Sequence, residues 1–338
     1  MKQPLLFTII IFCIILFFIF ISYFLTNLIS DGLKTSTTNT FVQDSGIIEI
    51  FFCPQDNCEE HLLIFLSSAK KSIHCALYDL GLNSVKELLI KKEKTLDVRI
   101  VIDDEYYKKF PEAFVRKDGK NLMHDKFCIV DNKEVLTGSM NPTENDAHKN
   151  NNNLLIINSP ILAANYEAEF QELWRGEFKK GKAVRNPKIN LNGIVIKNYF
   201  CPEDACADRI KEELKKAEKS IYFLTFSFTH DGIANILLLK KRDGLQVRGV
   251  MESRQITMDA EFKRLQNNGI DILKDGNKNT MHHKVFIIDG QTVITGSMNP
   301  TRNGDEHNDE NVLIIYDQNI AEKFVKEFEK VFGEAKIQ

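Results

Sequence analysis

A 23-residue segment occurs twice in this chain of 338 residues: MHDKFCIVDNKEVLTGSMNPTEN from Met123 and MHHKVFIIDGQTVITGSMNPTRN from Met281, identical at 14 positions. A duplicated segment of this kind means two copies of one supersecondary unit facing each other, each burying what the other leaves open. Each copy holds a His, a Lys and an Asp at one spacing: His124, Lys126 and Asp131, then His282, Lys284 and Asp289. The chain therefore calls for a single site built from two matched halves.

The repeat extends well beyond the motif. IIEIFFCP at Ile47 matches IVIKNYFCP at Ile194 as a strand, and each leads into an amphipathic helix, Glu59 to Lys70 and Asp208 to Lys219. KKSIHCALYDL and EKSIYFLTFSFT follow as β-rich runs too apolar for a sheet edge. A second helix comes next in each half, Asn83 to Lys92 and Gly232 to Lys241, and then the strands at Asp97 and Gln246. After the motif each half has one more strand, NLLII at Asn153 and NVLII at Asn311, and a last helix. There Tyr166, Phe170 and Trp174, like Phe324, Phe328 and Phe332, recur at helical spacing and read as core. Strands alternating with helices of about 10 to 15 residues predict an α/β layer architecture. Cys53 and Cys201 are 148 residues apart but His124 and His282 are 158 apart, so the second half carries an insertion between Glu252 and Thr280.

Two residues apart on a strand, His124 and Lys126 project from one face, as do His282 and Lys284. Asp131 and Asp289 lie five residues past the lysines, on the opposite parity, and are expected to be structural acceptors rather than proton carriers. Ser139, Asn141, Ser297 and Asn299, in the two GSMNP segments, are placed to direct neutral donors into the site. A phosphodiester monoanion would meet two cations and several donors there, which makes it the natural ligand. No cluster of three carboxylates or histidines appears outside the motif, and a cationic Lys beside each His repels a metal, so no metal and no cofactor are expected.

The pattern H-x-K-x4-D-x6-G-S-x-N, complete twice, resembles the phospholipase D superfamily over nearly all of Ile47 to Lys336. The resemblance implies two repeated α/β lobes, mixed sheets flanked by helices and related by a pseudo-twofold axis through the active site. It also implies metal-independent phosphodiester cleavage through a phosphohistidine, one His attacking phosphorus and the other moving the proton. In relatives an acidic residue near 28 positions beyond each motif His orients the imidazole. Here that place holds Asn152 in the first half and Glu310 in the second. Read as partners within each half, Glu310 favours the imidazolium of His282, the expected acid and base, and Asn152 orients a neutral His124, the expected nucleophile.

From Leu5 to Leu25 run 21 uncharged, mostly Ile, Leu and Phe residues, about 31 Å as a helix. The expected organisation is a transmembrane anchor over 1–29, a flexible tether over 30–46, and lobes over 47–182 and 183–338. Lys2 faces Lys34 with Asp31 across the segment, a slight bias that places the N-terminus inside and the catalytic part on the extracytoplasmic side. FFCPQDNC and YFCPEDAC repeat a spacing at which Cys53 and Cys58, and Cys201 and Cys206, can close small disulfide loops; reduced thiols or a structural zinc are the alternatives. Cys75 and Cys128 read as ordinary buried residues.

A net charge of −3 gives no bulk attraction to nucleic acid. A phospholipid substrate at the membrane surface fits the anchor and the short tether. A nuclease is the alternative, with Lys108, Lys109, Arg116, Lys117 and Lys120 as flanking cations. A non-catalytic tethered phosphate receptor is the alternative of another class. With both half-sites in one chain, no obligate protein partner is expected.

Overall fold

Two sheets carry the motif strands at their centres. The structure, a computed structural model, describes residues 41–337. After the short strand β1 (Val42–Asp44), the first half runs β2 (Ile48–Cys53), α1 (Cys58–Ser68), β3 (Ser72–Leu77), α2 (Asn83–Glu93), β4 (Asp97–Ile102) and β5 (Val115–Lys117). The hairpin β6 (Lys126–Val130) to β7 (Glu134–Gly138) follows, then α3 (Glu144–His148), β8 (Asn152–Asn158) and α4 (Pro160–Arg175). The second half repeats this as β9 (Lys188–Leu191), β10 (Ile194–Cys201), α5 (Cys206–Leu214), β11 (Ser220–Thr225), α6 (Asp231–Arg242) and β12 (Gln246–Met251). It continues through α7 (Phe262–Asn267), β13 (Asp271–Lys274), the hairpin β14 (Lys284–Ile288) to β15 (Thr292–Gly296), α8 (Arg302–Glu306), β16 (Glu310–Tyr316) and α9 (Gln318–Lys336).

The sheet orders are β2-β8-β7-β6-β3-β4-β5 and β1-β9-β10-β16-β15-β14-β11-β12-β13. Within each, the apolar run expected to be internal is internal: β3 lies between β6, antiparallel, and β4, parallel, as β11 lies between β14 and β12. The insertion in the second half builds α7 and β13, where the first half has β5 alone before its motif strand. Among the described residues no helix is long and apolar enough to cross a membrane. The expected anchor over 1–29 and most of the tether lie outside the described residues.

The tether ends earlier than its composition predicts. Val42 to Asp44 pair in parallel with Ile189 to Leu191, and the Asp44 carboxylate accepts from Ser159 Oγ at 2.6 Å and from the Ile161 amide at 3.0 Å. This three-residue polar strand is thus an edge of the second sheet while its side chain holds the start of α4, which Ser159 caps and Pro160 opens. Its partner is too distant in sequence for periodicity to reveal.

One apolar core lies between the sheets and draws on both. Tyr166 and Phe170 of α4, and Phe324, Phe328 and Phe332 of α9, are buried there with Val135, Leu155, Val293 and Leu313. The aromatic stripes therefore glue the two lobes together, and separate cores lie under the outer helices. Disulfides join Cys53 to Cys58 and Cys201 to Cys206, each tying a strand end to the helix that follows. Cys75 and Cys128 correct the expectation made for them: they form a third disulfide. Register decides it, since β3 and β6 set the two residues directly opposite, with Cα atoms 4.1 Å apart.

Asp131 and Asp289 are structural acceptors, as expected, but not by strand parity: β6 and β14 end one residue earlier, and both stand in hairpin turns rather than in the site. Asp131 accepts from the backbone amides of Lys70, Lys71 and Ser72, and Asp289 from those of Glu218, Lys219 and Ser220. Each fastens the motif hairpin to the start of β3 or β11. Both have positive φ, 53° and 54°, a conformation in which a short polar side chain can bond locally.

The lobe interface also buries acid. Asp125, Glu169 and Asp309 repel one another in a dry setting, and burial pushes Asp125 up to about 7 and Asp309 up to about 8. In the second half, 158 residues on from Asp125 and Glu169, the equivalents are His283 and Glu327, an oppositely charged pair when His283 is protonated. The duplicated fold has diverged in charge at this place.

Three outcomes follow. Asp131→Ala is expected to lower stability by about 2 kcal/mol, a melting shift of about 4 °C, with turnover per folded molecule unchanged. A carboxyl whose folded pKa is raised contributes stability below its unfolded value near 4 and loses it as pH rises through the folded value. Asp309→Asn, which copies the neutral acid and matches Asn151 in the other half, should therefore gain in melting temperature over wild type between pH 6 and 9; a constant difference refutes the linkage. Alkylation of the denatured chain before and after reduction should add label at six thiols, Cys53, Cys58, Cys75, Cys128, Cys201 and Cys206.

Candidate active site

The two motif histidines stand just ahead of β6 and β14, where these strands leave β3 and β11 at the lobe interface. The His124 amide donates to the Asp309 carbonyl at 2.9 Å and the His282 amide to the Asn151 carbonyl at 2.9 Å. In return the Asp309 amide donates to Leu122 at 3.1 Å and the Asn151 amide to Thr280 at 2.9 Å. Each pre-motif segment is thus a one-rung parallel bridge to the other lobe, Met123 with Asp309 and Asn151 with Met281. The residues before β8 and β16 therefore serve the opposite half.

Side chains follow the backbone. His124 Nδ1 lies 2.9 and 2.8 Å from the two carboxylate oxygens of Glu310, and His282 Nδ1 lies 3.0 Å from Asn152 Oδ1. Both acceptors call for a proton on Nδ1, leaving each Nε2 as the nitrogen with a lone pair in the neutral ring. The pairing within each half, Asn152 with His124 and Glu310 with His282, is corrected: the partners are exchanged across the interface. Asn152 and Glu310 begin strands whose neighbours are in their own sheet, but their first residues emerge where the other lobe's histidine sits.

Ser139 and Ser297 also differ from expectation. Both are fully buried; Ser139 Oγ donates to Asn152 Oδ1 at 3.2 Å and Ser297 Oγ to Glu310 Oε2 at 2.7 Å. Each hydroxyl accepts in turn from the amide of Asn153 or Asn311, at 3.0 and 2.9 Å. They fix the groups that fix the histidines, instead of facing a phosphate. The preceding glycines permit this: Gly138 and Gly296 have φ of 141° and 144°, and a Cβ at either would collide with the carbonyl of Asn153 or Asn311. Asn141 directs both its backbone amide, at 2.8 Å, and its Nδ2, at 2.7 Å, to Asp146 Oδ2. Asn299 stands at the matching place, with Gly304 where Asp146 would be.

Lys126 and Lys284 are 1% and 3% exposed and donate to the carbonyls of His124 and His282 at 2.7 and 2.9 Å. Burial pulls Lys126 down to about 8 and Lys284 well below its usual range. Burial first, and then the two ammonium groups, hold His124 well below the ordinary imidazole value. The same causes lower His282, with Asp146 opposing them at 3.5 Å from Nδ1. Burial pushes Glu310 up to about 7 against the pull of Lys126. The site thus sets two imidazoles, each with its Nε2 lone pair uncommitted, beside two buried lysines, an arrangement that can take an anion and offers two rings for attack or proton transfer. Among the described residues no group of three or more His, Cys, Asp or Glu is placed to hold a metal ion.

Three neighbours were not legible as site residues. Tyr78 and His124 meet edge to face, as do Phe226 and His282, each with centroids 4.8 Å apart. Lys126 Nζ lies 5.1 Å from the Tyr78 ring and Lys284 Nζ 5.2 Å from that of Phe226. Their signal was the repeat itself, for they share the 148-residue offset of the cysteine loops. Asp146 is the third, and it lies in the short helix α3 that follows the first GSMNP segment.

The family model described as "Cardiolipin synthase, PLD-like domain" matches residues 62–174 and again 210–332. A phospholipase D of Rickettsia prowazekii is 30% identical over 154 residues, 44% of this chain and 75% of the relative. A mitochondrial cardiolipin hydrolase of Xenopus laevis is 30% identical over 143 residues, 41% of this chain and 68% of the relative. Both relatives therefore correspond to less than half of this chain. The phosphatidylserine synthase of Haemophilus influenzae spans 86% of it with a TM-score of 0.62 and 13% identity, covering 87% of that structure, a likeness of fold. With the matched model covering both lobes, the chain belongs to the phospholipase D superfamily of phosphodiesterases.

Proposed function

We propose that this protein cleaves phospholipid phosphodiesters at a membrane surface through a covalent phosphohistidine, with His124 as nucleophile and His282 as proton donor and acceptor. The observation that carries it is the commitment of both Nδ1 atoms across the lobe interface, which leaves two Nε2 atoms free beside two buried ammonium groups. Nε2 of His124 attacks phosphorus, the bond to the leaving alcohol breaks, and His282 gives that oxygen its proton. Water then gives a proton to His282 and attacks phosphorus, and the bond to His124 breaks. An arriving phosphate monoanion offsets the repulsion of Lys126 and Lys284 and draws the required proton onto His282.

The roles rest on a different footing from the sequence argument, since the direct carboxylate partner belongs to His124. A phosphorylated imidazole carries positive charge for the life of the intermediate, and Glu310 at 2.8 Å suits that ring. A ring that must cycle between charged and neutral is better served by the neutral Asn152 oxygen. Ser139, Ser297, Asn152 and Glu310 act in this reading as positioning residues, and Lys126 and Lys284 hold the phosphate.

Lipid is favoured over nucleic acid because two of the cations a nuclease groove would use are engaged within the fold. Of the five cations considered for a nuclease groove, Lys109 is bonded to Asp79 at 3.0 Å, and Arg116 donates to the Trp174 carbonyl while stacking 3.9 Å from that ring. The apolar run from Leu5 to Leu25 would hold the site near a bilayer, and the disulfides support the extracytoplasmic side, where they persist.

The test offers the full-length protein phospholipid vesicles and single-stranded oligonucleotides, both in EDTA. Headgroup release from vesicles without oligonucleotide cleavage is expected, and His124→Asn should abolish it. Rapid denaturation of the wild type at alkaline pH, where the P–N bond survives, should leave the phosphoryl group on a peptide containing His124; its recovery on His282 reverses the roles, and turnover of oligonucleotides alone refutes the lipid reading.

A further inference from the structure

The two lobes are related residue by residue through the motif, yet their carboxylates do not correspond. The position 158 residues on from Asn152 is Glu310, and the position 158 residues on from Asp146 is Gly304. Each half therefore sends one buried carboxylate toward the histidine of the other, from a different element. In the second half it comes from the start of β16; in the first it comes from α3.

Resting on the phosphodiesterase reading, we infer that Asp146 is the positioning carboxylate of the proton-transferring His282, standing in for the acid that Asn152 does not supply. Asp146 is 4% exposed, and its Oδ2 lies 3.5 Å from His282 Nδ1, behind the direct contact with Asn152 Oδ1 at 3.0 Å. It is held there by Asn141 through backbone and side chain, and by Asn150 Nδ2 on Oδ1 at 2.6 Å. The equivalent of Asn150 in the other half, Asn308, steadies Glu310 Oε1 at 3.2 Å. The supporting asparagine has the same place in both halves, and in each it binds whichever carboxylate that half provides. Asn152 in turn donates from Nδ2 to the backbone carbonyl of Asp146 at 3.1 Å, so amide and acid form one unit.

At 3.5 Å Asp146 acts on the ring by charge more than by a hydrogen bond. The groups that act on His282 are Lys284, Lys126 and His124, all of which oppose its protonation, and Asp146, which favours it. Phe226 packs on the ring in a T-shaped contact and brings no charge. Without Asp146 the two ammonium groups act unopposed, and His282 gives up its proton at lower pH. The donor form needed for departure of a poor leaving group is then scarcer at neutral pH, while His124 and its Glu310 are untouched.

The test measures kcat/KM against pH for the full-length protein on two soluble phosphodiesters. Dihexanoyl phosphatidylcholine, below its micelle concentration, has an alkyl leaving group that needs a proton; bis(p-nitrophenyl) phosphate has one that leaves without it. Asp146→Asn is expected to cut kcat/KM on the choline ester about ten-fold at pH 7, and less than about two-fold on the nitrophenyl ester. Its alkaline limb on the choline ester should move about one pH unit downward. The double variant Asp146→Gly with Asn152→Glu, which rebuilds the arrangement of the second half, should return the limb toward wild type. It carries the test by itself if Asp146→Asn loses its cooperative melt. Equal losses on both esters at every pH, or a double variant without recovery, overturn the inference. A wild type that turns over neither ester overturns the phosphodiesterase reading on which it rests.

Discussion

Each motif histidine takes its backbone partner and its ring partner from the opposite lobe, and the rest of the site depends on that exchange. The bridges Met123 with Asp309 and Asn151 with Met281 place the imidazoles; Glu310 and Asn152 then set which ring nitrogen carries the proton. A lobe alone would hold a histidine with an unanchored Nδ1 and an orienting group with nothing to orient. The apolar core shared by α4 and α9 is therefore as much a part of the chemistry as the motif, because it holds the exchanged partners within 3.0 Å.

Burial gives this interface its electrostatic character. Two lysines, two histidines and Glu310 are removed from water together, so each feels its neighbours through a medium that screens little, and the imidazoles stay neutral beside two ammonium groups. The cost of such a cluster is offset by pairing: each ammonium donates to a histidine carbonyl and each orienting group takes a serine hydroxyl. On the first-lobe side Asp125, Glu169 and Asp309 add acid where the second lobe has His283 and Lys330 with Glu327. Duplication supplied the frame, and the halves then diverged in charge without losing it.

Much of the architecture was legible because it is local or periodic. The strands read as internal are internal, the helices from Asn83 and Asp231 fall where their apolar spacing puts them, and Asp131 and Asp289 are structural acceptors, although their place in the turns just past the strands, and not strand parity, makes them so. The Cys53 and Cys201 loops close over five residues and could be read as such. The disulfide between Cys75 and Cys128, and the pairing of β1 with β9, depend on register between segments 53 residues apart or farther. No period in a single chain encodes which strand will lie opposite which.

The sequence by itself determined that there are two half-sites and that His124, Lys126, His282 and Lys284 fall in them at one matched spacing. Identity and spacing suffice for this, since residues two apart on a strand share a face wherever the strand goes. The tertiary structure alone decided who serves whom: Glu310 with His124, Asn152 and Asp146 with His282, and the serines behind them. Those partners are brought together across an interface from positions 130 to 186 residues apart, and only the packing of one lobe on the other sets such distances.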